Sequence, residues 1–221
     1  MLLRAGRNAI RPFQLAPRAG SVVPRCVPRA LASSSFSTND RLADLLEKEI
    51  DEEEDNFEGM GIDMDGILAQ WKDEYSVKVD VGSPVIELEK TVNGNVVKIS
   101  MDVEDTHEYG EDDDIEEGYY VDVSLHRDKT VLGFRCEILG NEILVANLQI
   151  MDAHEVGSDK SIYDGPKFED LETDLQDAIL DYLEDHGIDG ALAGSLTEFA
   201  RAKEQEEYIR WLDRFHHFVS A

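Results

Sequence analysis

The sequence is poor in cysteine, poor in positive charge beyond its first forty residues, and without a long apolar run. Its 221 residues include two cysteines, Cys26 and Cys136, and no Cys-x-x-Cys pair. That argues against a disulfide scaffold and against a zinc finger, because each needs clustered thiols at set spacing. No stretch of ~18 uncharged apolar residues occurs, so no helical membrane span is expected. There is no Asn-x-Ser/Thr sequon, in keeping with a protein that avoids the secretory route. Neither a P-loop nor a Gly-x-Gly-x-x-Gly motif is present to cradle a nucleotide phosphate.

What the chain does have is charge, divided by position. Residues 1–39 hold six arginines (Arg4, Arg7, Arg11, Arg18, Arg25, Arg29) and no acid. The rest holds 15 Lys+Arg against all 49 Asp+Glu, so a net of +6 is followed by −34, which together make the formal −28. A body of that sign repels a phosphate backbone and anionic lipid headgroups, so direct nucleic-acid contact is not expected.

The leader is Arg-rich, Ser-rich and acid-free, with arginines set among Leu2, Leu3, Ile10, Phe13, Leu15, Val22 and Val23. This is the composition of a mitochondrial transit peptide; arginines interrupt every run that a secretory signal would need unbroken. Residues 1–38 are therefore expected to be removed on import, leaving 39–221 as one acidic domain in the mitochondrial matrix.

The body reads as helix, sheet, two helices. Leu42, Leu45, Leu46 and Ile50 recur at helical spacing after a capping Thr38, Asn39 or Asp40, predicting a helix over 39–55. Its acid-rich end, Asp51-Glu52-Glu53-Glu54-Asp55, opposes the helix dipole and should fray into solvent. From residue 74 to about 164 the period changes to two: Val77 and Val79; Ile86 and Leu88; Val97, Ile99, Met101 and Val103; Tyr119, Val121, Val123 and Leu125; Leu132, Phe134, Cys136 and Ile138; Leu144, Ala146, Leu148 and Ile150. Asn93-Gly94 and Gly140-Asn141 supply hairpin turns. The pattern predicts an antiparallel meander of six strands, with a seventh near Ser161–Asp164 and an acidic loop over 102–118. Helices follow over 166–187, ended by Gly187, and over 190–219. The stretch Ala202 to Glu207 is small or polar and is expected to face water or a subunit boundary. Strands grouped apart from helices define an α+β domain.

The segment from Tyr163-Asp164-Gly165-Pro166-Lys167-Phe168 through Asp185-His186-Gly187-Ile188-Asp189 resembles the mitochondrial acidic matrix protein family, and so does Lys203-Glu204-Gln205-Glu206-Glu207-Tyr208-Ile209-Arg210-Trp211-Leu212. This family, also called mitochondrial glycoprotein, includes the human receptor for the globular heads of complement's first component. The resemblance implies a long twisted sheet of seven antiparallel strands, one N-terminal and two C-terminal helices, and three subunits in a ring. It places Leu42, Leu46 and Ile50 against the last helix near Trp211, Leu212 and Phe215, as helix-docking or subunit contacts. It further implies a non-enzymatic, chaperone-like adaptor for basic matrix proteins, ribosomal or RNA-binding ones among them, supporting mitochondrial translation and oxidative phosphorylation.

The residues themselves point to two acidic runs as a binding surface for basic proteins: Asp51, Glu52, Glu53, Glu54 and Asp55, and Glu111, Asp112, Asp113, Asp114, Glu116 and Glu117. Fields of one sign steer oppositely charged partners over a Debye length of ~8 Å at physiological salt. The alternative is an acidic matrix protein that buffers cations or plays a structural part without specific clients. No Asp-x-[Asp/Asn]-x-[Asp/Asn]-Gly loop supports a dedicated calcium site. The six histidines lack metal-ligand spacing and are expected at the surface or at element boundaries. Cys136 lies in the apolar alternation with no base signalled beside it. Trp71, Tyr119, Tyr120 and Trp211 read as core or subunit-contact aromatics. No catalytic, cofactor or metal residue is assigned.

Overall fold

Residues 38–109, 116–156, 163 and 165–221 are described by a computed structural model. Helix α1 spans Thr38–Met60 and α2 spans Met64–Glu74. Six strands follow: β1 Ser76–Val79, β2 Val85–Val92, β3 Asn95–Tyr109, β4 Glu116–Arg127, β5 Thr130–Leu139 and β6 Glu142–Asp152. A 3-10 turn at Phe168–Asp170 leads to α3 Thr173–Glu184 and α4 Gly190–Ser220.

The strands form one antiparallel sheet in sequence order, as short turns between alternating segments dictate. Asn93 and Gly94 both take positive φ, 52° and 79°, the conformation of a two-residue hairpin turn whose twist matches its strands. One face of the sheet is apolar. Ile86, Leu88, Val97, Ile99, Met101, Val103, Tyr119, Val121, Val123, Leu125, Phe134, Cys136 and Ile138 are all buried in a single cluster. Ile67 and Trp71 of α2 join that cluster, as do Leu183 of α3 and Leu192, Ala193, Leu196, Phe199 and Ala200 of α4. The other face is polar and laced with ion pairs, Lys78–Glu87 at 2.6 Å, Lys98–Glu89 at 3.0 Å and Arg135–Asp105 at 2.7 Å.

Several boundaries differ from those the sequence predicts. The first helix does not fray within its acids but continues to Met60. Leu46, Ile50, Glu53 and Phe57 carry one stripe through the acidic run, and Gln205 of α4 donates to the Glu53 carboxylate at 2.6 Å. Tertiary contact thus overrides the unfavourable dipole. Helix α2 falls in a stretch with no predicted element. Asp63 caps it, accepting from the Gly66 amide at 2.9 Å, and the Trp71 indole donates to the Ser195 hydroxyl at 3.0 Å.

The predicted loop 102–118 is largely strand. β3 runs to Tyr109 and β4 opens at Glu116, with a register shift between Met101 and Thr106. The polar alternation through Glu104 and Asp105 hides a bulge, which breaks the period of two. The expected helix 166–187 begins only at Thr173, after the 3-10 turn. The sheet has six strands among the described residues; the expected seventh, near Ser161–Asp164, falls almost entirely outside them.

Gly187 ends α3 as predicted, with φ of 75°. The Ile188 amide donates to the Leu183 carbonyl and the Gly187 amide to that of Glu184, the paired bonds of a Schellman cap.

Candidate functional site

Helix α1 and the C-terminal half of α4 form an antiparallel pair. Glu53 meets Gln205, and Glu49 and Glu53 both act on the Tyr208 phenol, so sequence positions run in opposite senses. In that register Leu46 lies across from Leu212, and both are buried outside the main core cluster, at 7% and 2% exposure. Leu42, Ile50 and Phe215 are half-buried, whereas Trp211 is 55% exposed.

The acids of α1 point mostly away from this seam. Asp51, Glu52, Glu54 and Asp55 are exposed and Glu53 is half-buried. The helix carries ten acidic against two basic side chains, a net of −8 over 23 residues. Of the two bases, Lys48 is paired with Glu52 at 2.7 Å. Of the second predicted acidic run, Glu111, Asp112, Asp113 and Asp114 lie outside the described residues, and Glu116 and Glu117 open β4 opposite Tyr109 and Glu108.

Cations on the sheet's polar face are occupied by acids of the same face. Arg135 bridges Asp105 and Asp122 and stacks over the Tyr120 ring at 4.6 Å. Pairs of this exposed kind add little stability. Their consequence here is that local cations are matched before they can offset the acids of α1.

The first turns of the outer half of α4 are buried, contrary to the expectation for Ala202 to Glu207. Ala202 is 0% exposed, Lys203 1% and Gln205 9%. The Lys203 ammonium donates to the Asp80 carbonyl at 3.2 Å and pairs with Glu207, whose carboxylate also accepts from the Gly82 amide at 2.9 Å. Lys203 and Glu207 thereby clasp the β1–β2 turn onto α4. Burial alone would raise the Glu207 pKa; the hydrogen bonds from Lys203 and the Gly82 amide, with the Lys203 and Arg210 charges, outweigh it and lower the pKa. The i,i+4 spacing of Lys203 and Glu207 was a readable helix pair, but nothing in it signals burial.

His186, expected at the surface or an element boundary, is at a helix end but only 2% exposed. Its Nδ1–H donates to the Tyr182 carbonyl at 2.7 Å, leaving Nε2 to accept from the Asn95 amide at 2.8 Å. The Asn95 oxygen accepts from Arg127 Nε at 2.7 Å. The Asn95–His186 bond thus joins the end of α3 to the start of β3, and the Arg127–Asn95 bond ties the start of β3 to the end of β4. Cys136 is buried, and that burial pushes its thiol up to about 12, so it stays protonated at neutral pH. Trp71 and Tyr119 are core residues, at 4% and 2% exposure. Among the described residues no group of three His, Cys, Asp or Glu side chains is arranged to hold a metal, and no helix is long and apolar enough to cross a membrane.

An acidic helix pair on an α+β sheet domain defines a class, and the comparisons with known proteins give it a family. Residues 46–219 match the family described as mitochondrial glycoprotein (MAM33), and the chain belongs to that family of mitochondrial proteins. A 57-residue stretch is 40% identical to the mitochondrial acidic protein mam33 of Schizosaccharomyces pombe, covering 26% of this chain and 21% of that protein. Over 96% of its length the chain is 26% identical to an uncharacterised mitochondrial protein of Arabidopsis thaliana, covering 84% of it. Among solved structures, the p22 protein of Trypanosoma brucei shares the fold at a TM-score of 0.66 and 20% identity, over 82% of this chain and 98% of that one. A Leishmania major protein, described as a sequence homologue of human p32, does so at 0.62 and 19%, over 83% and 99%.

Proposed function

We propose that this protein is a chaperone-like adaptor of the mitochondrial matrix, which holds basic proteins on an acidic surface and so supports mitochondrial translation and oxidative phosphorylation. In this reading residues 1–38 are cleaved on import, and three copies of 39–221 assemble into a ring that multiplies the field of each subunit. The clients are basic matrix proteins, ribosomal or RNA-binding ones among them, and RNA is reached through them rather than directly. The protein has no catalytic part in this account.

The observation that carries the reading is the exposed face of α1, where Asp51, Glu52, Glu54 and Asp55 stand together on a helix with a net charge of −8. Charge of one sign on a rigid helix raises association rates with cationic partners and makes binding salt-dependent. Glu53 is committed to Gln205 and contributes less to that surface.

The test is a variant carrying Asp51→Asn, Glu52→Gln, Glu54→Gln and Asp55→Asn, with Glu53 kept. Binding of a basic ribosomal protein is followed by fluorescence anisotropy across salt concentrations. Affinity is expected to fall about tenfold at low salt, in line with the ~1.4 kcal/mol that a tenfold change represents, and the salt dependence to flatten. Unchanged affinity and slope would contradict the reading.

A further inference from the structure

The chain holds seven asparagines, and only Asn93 is followed by glycine. Asn93 and Gly94 form the two-residue turn between β2 and β3, and both are exposed. The strand ladder closes with the Val92–Asn95 pair, so the Gly94 amide lies outside it. A Cβ placed on Gly94 would meet nothing within 4 Å beyond its chain neighbours. The Asn93 carboxamide therefore shares open solvent with an adjacent backbone nitrogen that no side chain shields. Every other asparagine precedes a residue with a side chain, and Asn95 is itself buried.

These two groups can react with each other. The Gly94 nitrogen, once it has given its proton to solvent, attacks the carbonyl carbon of the Asn93 side chain. A bond forms between that nitrogen and that carbon, the bond to the side-chain nitrogen breaks, and ammonia leaves with a proton taken back from solvent. The product is a five-membered succinimide. Water then opens the ring at either carbonyl. Opening at the side-chain carbonyl restores the ordinary main chain with aspartate at 93. Opening at the main-chain carbonyl leaves the chain running through the former side chain, as isoaspartate, one carbon longer. Water is the only co-reactant. Ring closure needs the tip of the hairpin to relax from its positive φ of 52° and 79°, so the rate follows the opening of the turn.

We propose that Asn93 is a site of spontaneous deamidation, and that isoaspartate there loosens the attachment of α3 to the sheet. The reason lies two residues on. Asn95 is 2% exposed; its oxygen accepts from Arg127, and its amide donates to His186, which in turn donates to the Tyr182 carbonyl of α3. A two-residue turn has no slack. An added main-chain carbon and a new carboxylate at position 93 displace the Val92–Asn95 pair that closes it, and the Asn95 amide moves with that pair. A buried polar group parted from its partner loses the bond and stays desolvated, which is costly. The rest of the hairpin is held by Ile86, Leu88, Val97 and Ile99 in the core, so the damage stays at the turn and at α3. The inference is independent of the adaptor reading.

The full chain is aged in solution at pH 8 and at pH 6. Conversion is followed by peptide mass mapping, and isoaspartate is labelled with an isoaspartate-specific carboxyl methyltransferase. Asn93 is expected to convert at least about tenfold faster than any other asparagine, a barrier difference of about 1.4 kcal/mol. Conversion should be faster at pH 8, because the attacking nitrogen must lose its proton. An intact Asn93, or earlier conversion of another asparagine, would overturn the site. Amide hydrogen exchange then compares aged and fresh chains. The Gly187 and Ile188 amides, which close the end of α3 on the Glu184 and Leu183 carbonyls, should lose protection in the aged chain. Asn93→Gly keeps a residue suited to positive φ and removes the carbonyl that is attacked, so this variant should keep its protection on ageing. Equal loss in the aged variant would overturn the link to α3, as would full protection in a parent chain converted to isoaspartate at Asn93.

Discussion

The two halves of α4 share one backbone and differ in almost everything else. From Gly190 to Ala202 the helix is mostly small and apolar residues and turns one side into the core, with Glu198 and Arg201 on the exposed side; Ala193, Phe199 and Ala200 are fully buried. From Lys203 to Ser220 it leaves the sheet and is held by a polar clasp, by Gln205 on Glu53, and by Leu212 at the seam with α1. The inner half is stabilised by apolar area withdrawn from water. The outer half keeps large aromatics in solvent beside a helix of net −8. Stability and recognition are thus separated along a single element, the rigid part presenting the part that meets partners.

The separation is broken most severely by emptying the inner half. Phe199 is 0% exposed and packs its ring 4.9 Å from Trp71. Phe199→Ala should cost about 3–5 kcal/mol, the range for deleting a buried aromatic and leaving a cavity, measured by urea unfolding. A cost near zero would mean that the inner half is not the anchor described here.

The clasp comes next. Lys203→Met keeps the aliphatic stem but removes the donor to the Asp80 carbonyl and leaves Glu207 with only the Gly82 amide and Arg210. The loss should be about 3 kcal/mol, the lower end for breaking a buried pair, because Glu207 retains some water. Adding Glu207→Gln should recover part of it in a double-mutant cycle, since the stranded charge is then gone.

A smaller effect is set by pH. The folded Glu207 pKa lies below its ordinary 4.5, so the clasp adds stability that is fully present above that value and is lost as pH falls through the lowered folded value. Thermal unfolding between pH 6 and 3 should show this loss, and Glu207→Gln should remove part of the slope. An unchanged slope in that variant would remove Glu207 from the account. The smallest effect is expected on the outer face: Phe218→Ser, at an 80% exposed position, should change stability by less than about 0.5 kcal/mol, as surface substitutions do. A loss of several kcal/mol would show Phe218 to be structural.

The inner half was far more legible in the sequence than the outer. Alternation marked the buried face of β2 to β5, because an antiparallel sheet with one wet face writes its burial into period two, but it failed in β6: Leu144, Ala146 and Ile150 are exposed and Val145 is buried there, where the register against β5 shifts. Asn93-Gly94 and Gly187 announced a turn and a cap because both need positive φ. Helix α2 was missed because Gly66 and its acids dilute a short apolar set, although Asp63 as cap with Ile67 and Trp71 four apart could have found it. The burial of Lys203 and His186 was hidden for a different reason. A polar side chain is buried only when distant partners satisfy it, here the Asp80 carbonyl 123 positions away and Asn95 91 positions away. The acidic run of α1 was legible as charge but not as helix interior, because the contact that extends it comes from Gln205. The aromatics at the end of α4 were visible as core-like residues, and only the fold shows that Trp211 and Phe218 are exposed.

The most direct test of this division is amide hydrogen exchange on the full chain, with and without a bound basic protein. Slow exchange throughout the sheet and over Gly190–Ala202 is predicted in both states. Added protection on binding is predicted over α1 and over residues 203–220 only. Protection that appears instead on the sheet's polar face, with α1 and the end of α4 unchanged, would contradict the account.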